Sequence, residues 1–129
     1  MYIFVYGTLK VGGHFAGDFN HVRNASIPAT LNGYCLYNLG WFPTIKAEEG
    51  QVVGEAHDYK DGVGVLRSFD GIEGYNVDTD SGLYLRREVE VVTEDGGTVK
   101  AWAYILNSAL PPDAKKIESG VWKLKGMQA

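Results

Sequence analysis

A chain of 129 residues with 45% hydrophobic and 22% charged residues has the composition of an ordinary folded domain, which argues against disorder. A net charge of −4, with no Lys or Arg run longer than two, argues against a nucleic-acid surface, which needs a basic patch or stripe. No apolar run approaches the roughly 18 residues of a membrane span, and the single Cys35 cannot form an internal disulfide and fits a reducing compartment.

Residues 2–6, "YIFVY", read as a strand buried on both faces, because the run is short, aromatic and β-branched, with no polar alternation. The start "MYIFVYGTLK" lacks a basic leader and a cleavage site, so a cytoplasmic chain is expected. Residues 7–26 predict a glycine-rich loop with a short irregular helix. Residues 31–38 and 51–59 predict two more strands, joined through a bend at Gly40 and Pro43. Gly33 and Gly54, inside those strands, predict bulges or a close backbone approach.

Residues 61–69, "DGVGVLRSF", predict a short helix with Asp61 as N-cap. Gly62 and Gly64 weaken it, and Glu73 is expected just past its end. Residues 83–93 and 98–106 flank "EDGG" and predict a hairpin. Residues 111–117 predict a helical turn, and Trp122 is expected to pack back on the body. The order predicts one α+β domain over 1–129, a strongly curved sheet or small mixed β-barrel with short peripheral helices.

Three places could carry chemistry. "YGTLKVGG" (6–13) follows a strand, so its backbone N–H groups could cradle a carboxylate or oxyanion. It is not a phosphate loop, because Gly13-His14 stands where Lys-Ser/Thr is required. Glu73, in "GIEGY", has few charges near it. A lone Glu after a helix is ordinarily a solvated charge, but partial burial beside Ile72 and Tyr75 would raise its pKa and make it a base near neutral pH. Asp70 could pair with it for two-carboxylate chemistry, although an Asp there more often serves a structural role. In "YLRREVEV", Val89 and Val91 can face the core, and Tyr84 can reach a pocket. His14, His21 and His57 lack metal-ligand spacing, no Gly-x-Ser-x-Gly elbow exists, and Cys35 reads as a small core residue.

Taken in order, "YGTL" (6–9), "FDGIEGY" (69–75), "YLRREVEV" (84–91) and "IESGVW" (117–122) resemble the γ-glutamylcyclotransferase-like superfamily, in its AIG2-like branch with γ-glutamylamine cyclotransferase. "LGWFPTI" and "VVGEAHDY" fall in the expected places, so the resemblance covers nearly the whole chain. It implies a small β-barrel and a cofactor-free, metal-free enzyme. It implies Glu73 as acid/base, with substrate held by the loop Tyr6, Gly7, Thr8 and Leu9, and 5-oxoproline as product; Tyr84, at the strand start, is expected to help orient the substrate. The expected partner is a γ-glutamyl small molecule, with neither nucleic acid nor membrane, and the chain is expected as a monomer or weak homodimer. Two alternatives stay open: a non-catalytic binding or interaction protein on the same fold, and other amide or ester chemistry using Glu73 and Asp70 together.

Overall fold

The structure is a computed structural model that describes residues 1–7, 10, 16–40 and 42–123; of residues 16–18 it describes the backbone. Strand β1 is Tyr2–Val5, followed by a 3-10 helix at Ala16–Val22. Two long strands come next, β2 (Arg23–Asn38) and β3 (Pro43–Tyr59), then helix α1 (Gly62–Glu73). After α1 come the short pair β4 (Tyr75–Asn76) and β5 (Ser81–Gly82). The chain continues through β6 (Tyr84–Thr93), β7 (Thr98–Leu106) and β8 (Lys115–Ile117).

The strands run β3-β1-β7-β6-β2, and β2 pairs back to β3, closing a five-stranded barrel with β8 added on β2. The sheet is mixed: β1 is antiparallel to β3 and parallel to β7. Closure satisfies the strand edges that an open sheet would leave unpaired. Strand β1 is buried on both faces, as its apolar run predicts. Phe4 and Tyr6 point into the barrel core with Leu31, Val52, Val91 and Ala103. Ile3 and Val5 point outward and are covered by Phe19 of the 3-10 helix and by Leu66 and Phe69 of α1.

The glycine expectations hold in two different ways. Gly33 has a φ of 83° and lies where the β2–β3 register shifts, which is a bulge. At Gly54 a Cβ would lie 2.3 Å from the Val5 carbonyl oxygen, so β1 and β3 can approach only at a glycine. The "EDGG" hairpin is present, with Gly96 at a φ of 88° and Val92 opposite Thr98.

Several expectations need correction. Strands β2 and β3 start earlier than 31 and 51, at Arg23 and Pro43, because they pair with each other along nearly their whole length. The helix runs to Glu73 rather than ending at residue 69. Gly71 is exposed within it, and the terminator is Gly74, whose φ of 67° is left-handed and whose N–H bonds the Asp70 and Gly71 carbonyls. Residues 111–117 form a turn followed by β8, which takes the free edge of β2 at Leu36–Asn38. Trp122 does pack against the barrel core.

Candidate active site

The path of β1 sets one wall of the site. It leaves the barrel at Tyr6 and Gly7, beside Pro43 at the start of β3. A Cβ on Gly7 would lie 2.7 Å from Pro43 Cγ, so this approach requires glycine. Opposite stands the C-terminal end of α1, where Asp61 caps the start and Gly74 stops the chain. Gly64 serves that cap: its N–H donates to Asp61 Oδ1 at 3.2 Å, and a Cβ there would meet the same carboxylate at 2.3 Å. The helix is therefore fixed at both ends, and Glu73 is its last residue.

Between these walls lies a cavity of about 220 Å³, lined by Tyr6, Gly7, Glu73, Tyr84 and Tyr104 among others. Glu73 is half-buried, and among the described residues its carboxylate has no hydrogen-bond or ion-pair partner. Burial raises its pKa from 4.5 to about 7, because the low-dielectric site disfavours the charged form. A carboxyl with that pKa can take and return a proton at neutral pH.

The tyrosines are held by their own protons. Tyr84 Oη donates to the Pro43 carbonyl at 2.9 Å, and Tyr6 Oη donates to the Tyr104 carbonyl. Burial, then the nearby Glu73 charge, pushes both phenols above their ordinary pKa, so both stay neutral. With its proton committed to a carbonyl, the Tyr84 hydroxyl oxygen keeps acceptor capacity, whereas the Tyr6 oxygen already faces Thr44 and the Ile45 backbone. The polar groups of the cavity can therefore accept hydrogen bonds from a cation.

Asp70 lies one turn before Glu73 and is 7% exposed. Arg86 Nη1 donates to both its oxygens, at 3.1 and 2.9 Å, and Tyr104 Oη donates to Oδ1 at 2.6 Å. The Arg86 guanidinium lies against the Tyr75 and Trp102 rings, 5.3 and 5.0 Å from their centroids. Asp70 thus anchors Tyr104, whose backbone in turn holds Tyr6.

The structure brings four sequence-predicted residues, Tyr6, Gly7, Glu73 and Tyr84, to one cavity; Thr8 and Leu9 lie outside the described residues. Sequence reasoning did not single out Tyr104 or Pro43. The available signal for Tyr104 is its register, directly across from Arg86 in the β6–β7 hairpin. His57 is fully buried, with Nδ1 2.7 Å from Tyr59 Oη and Nε2 2.8 Å from Glu55 Oε1, so both ring nitrogens serve the packing of β3. Among the described residues no group of three His, Cys, Asp or Glu side chains is placed to hold a metal. No helix among them is long and apolar enough to cross a membrane.

A closed barrel with a helix packed on the outer face of β1, and a carboxyl at the helix end that has no partner among the described residues, is the arrangement of a γ-glutamylcyclotransferase-like protein. The chain belongs to the gamma-glutamyl cyclotransferase, AIG2-like family, which matches residues 3–124. It is 33% identical over 125 residues to the gamma-glutamylcyclotransferase family protein YtfP of Escherichia coli (strain K12), covering 95% of this chain and 96% of that one. The solution structure of Escherichia coli ytfP matches with a TM-score of 0.63 at 28% identity, over 95% of this chain and 96% of that chain. A solved gamma-glutamyl cyclotransferase shares the fold, with a TM-score of 0.60 at 19% identity, over 90% of this chain and 69% of that one.

Proposed function

We propose that the protein is a cyclotransferase that cleaves a γ-glutamyl amine or amide, releasing 5-oxoproline and a free amine. Residues 1–129 act as one domain in the cytoplasm, with Glu73 as general acid/base. The observation that carries this reading is the unpaired, half-buried Glu73, with a pKa of about 7, in a cavity shared with Tyr6 and Gly7.

The substrate supplies its own nucleophile, so the protein's task is to fold the glutamyl chain into a reactive conformer. The α-ammonium docks against the acceptor oxygen of Tyr84 and gives one proton to the Glu73 carboxylate. The freed amine attacks the γ-carbonyl carbon, and the new C–N bond closes a five-membered ring. Protonated Glu73 returns its proton to the amide nitrogen, and the old C–N bond breaks. The ring nitrogen loses its second proton to solvent, and the departing amine gains one there. The Gly7 backbone N–H holds the α-carboxylate or the developing oxyanion.

Glu73→Gln keeps the shape and removes the proton shuttle. It should lower kcat/KM for 5-oxoproline release by about 10²–10⁴-fold while circular dichroism and Tm show an intact fold. Wild-type turnover by this variant would overturn the mechanism. In the wild type, kcat/KM should rise with pH through about 7, as Glu73 becomes the carboxylate.

A further inference from the structure

The described surface exposes six large hydrophobic residues, and three of them line the one cavity that holds Glu73. Phe42 and Ile72 are each 42% exposed and Leu83 is 58% exposed. They come from three separate parts of the chain: the β2–β3 bend, the last turn of α1 and the step between β5 and β6. Each immediately precedes another lining residue, Pro43, Glu73 or Tyr84. The Leu83 N–H donates to the Gly74 carbonyl at 3.0 Å, tying this rim to the helix end that presents Glu73. Single exposed hydrophobics are ordinary, but a cluster around a cavity marks a contact surface.

Size and charge say what it contacts. A cavity of about 220 Å³ falls below the roughly 300–1,000 Å³ of drug-sized sites. It suits an amino-acid-sized group, so whatever the glutamyl group carries must lie across the rim. Glu73 is the one charged side chain among the described lining residues. A charged group on the rim would lose water against Phe42, Ile72 and Leu83 without a partner from that lining.

We propose that the amine released is apolar, an alkyl or arylalkyl amine, whose hydrocarbon packs across Phe42, Ile72 and Leu83. This rests on the cyclotransferase reading above and narrows it to a substrate class.

The test measures 5-oxoproline release by the full chain from three probes: γ-glutamyl benzylamide, ε-(γ-glutamyl)lysine and a γ-glutamyl dipeptide with a free carboxylate. The benzylamide should exceed both others in kcat/KM by about tenfold or more. Leu83→Glu should shrink that ratio by about tenfold, with Tm reporting its fold. If Leu83→Glu does not fold, Ile72→Ser should shrink the ratio in the same direction. Equal or better turnover of either charged probe overturns the apolar-amine assignment and leaves the cyclotransferase reading standing. No 5-oxoproline from any probe overturns both. A wild-type dimer that Leu83→Glu splits without changing the ratio also overturns the assignment, because the rim then faces a second copy.

Discussion

Asp70 and Glu73 stand three residues apart on the same helix, and their surroundings differ in almost every respect. Asp70 accepts from Arg86 with both oxygens and from Tyr104. Glu73 is half-buried, has no partner among the described residues, and has a pKa raised to about 7. A carboxylate whose hydrogen bonds are all occupied fixes neighbouring groups. One left without partners in a partly buried site holds its proton more tightly than usual, so that it exchanges near pH 7 rather than near pH 4.5. The helix thus uses one carboxylate to position its neighbours and leaves the next one without a partner among the described residues.

The largest effect should come from removing the partner of the first. Arg86→Ala leaves the buried Asp70 with the Tyr104 hydroxyl but without its countercharge, and should cost about 3–5 kcal/mol of stability, measured by urea denaturation. An Arg86→Ala protein with wild-type stability but no activity would erase the contrast, placing both carboxylates in the chemistry.

The next effect has the opposite sign. The Glu73 pKa of about 7 lies above the ordinary 4.5, so folding takes up a proton between those values. The associated stability is complete below about pH 4.5 and is lost as pH rises through about 7. Glu73→Gln stays neutral throughout, so it should match the wild type near pH 4 and exceed it near pH 8. The expected gain is about 1–2 kcal/mol after allowing for partial exposure. Denaturation curves at the two pH values check it. A variant less stable than wild type near pH 8 would mean that the carboxylate is supported after all.

A smaller effect tests how the two are separated. Gly74 holds a left-handed φ of 67°, and a Cβ there would meet Leu83 Cβ at an ordinary 3.5 Å. Gly74→Ala should therefore cost about 1 kcal/mol from backbone conformation alone. It should lower the rate of 5-oxoproline release more than Tm, because it displaces Glu73, which immediately precedes it.

Much of this contrast was legible in the sequence, and the limits have physical causes. The alternation in "YLRREVEV" correctly buried Val89 and Val91, and Tyr84 at its start does line the cavity. The Asp61 cap and the "EDGG" turn were readable because their chemistry is local. The end of α1 was not, since Gly71 and Gly74 look alike in sequence and only the backbone separates an exposed helical glycine from a left-handed stop. The early starts of β2 and β3 were unreadable for a different reason. The pairing of β2 with β3 extends through polar and glycine-containing segments, where periodicity is weak and the partner strand supplies the order. The β4–β5 pair, two residues in each strand, is too short to leave a pattern.

Strand β1 has a consequence for how the molecule is made. Its four residues pair with residues 55–58 of β3 and with Ala101 and Trp102 of β7, and they lead directly into Tyr6 and Gly7. Strand β1, made before its partners, must therefore wait for residues near position 100 before its second edge is covered. Contacts this distant in sequence make folding slow and late. The wall that carries Tyr6 and the barrel that supports it are completed in the same step, so a nascent chain lacking β7 has the helix and Glu73 but no closed chamber in which to use them.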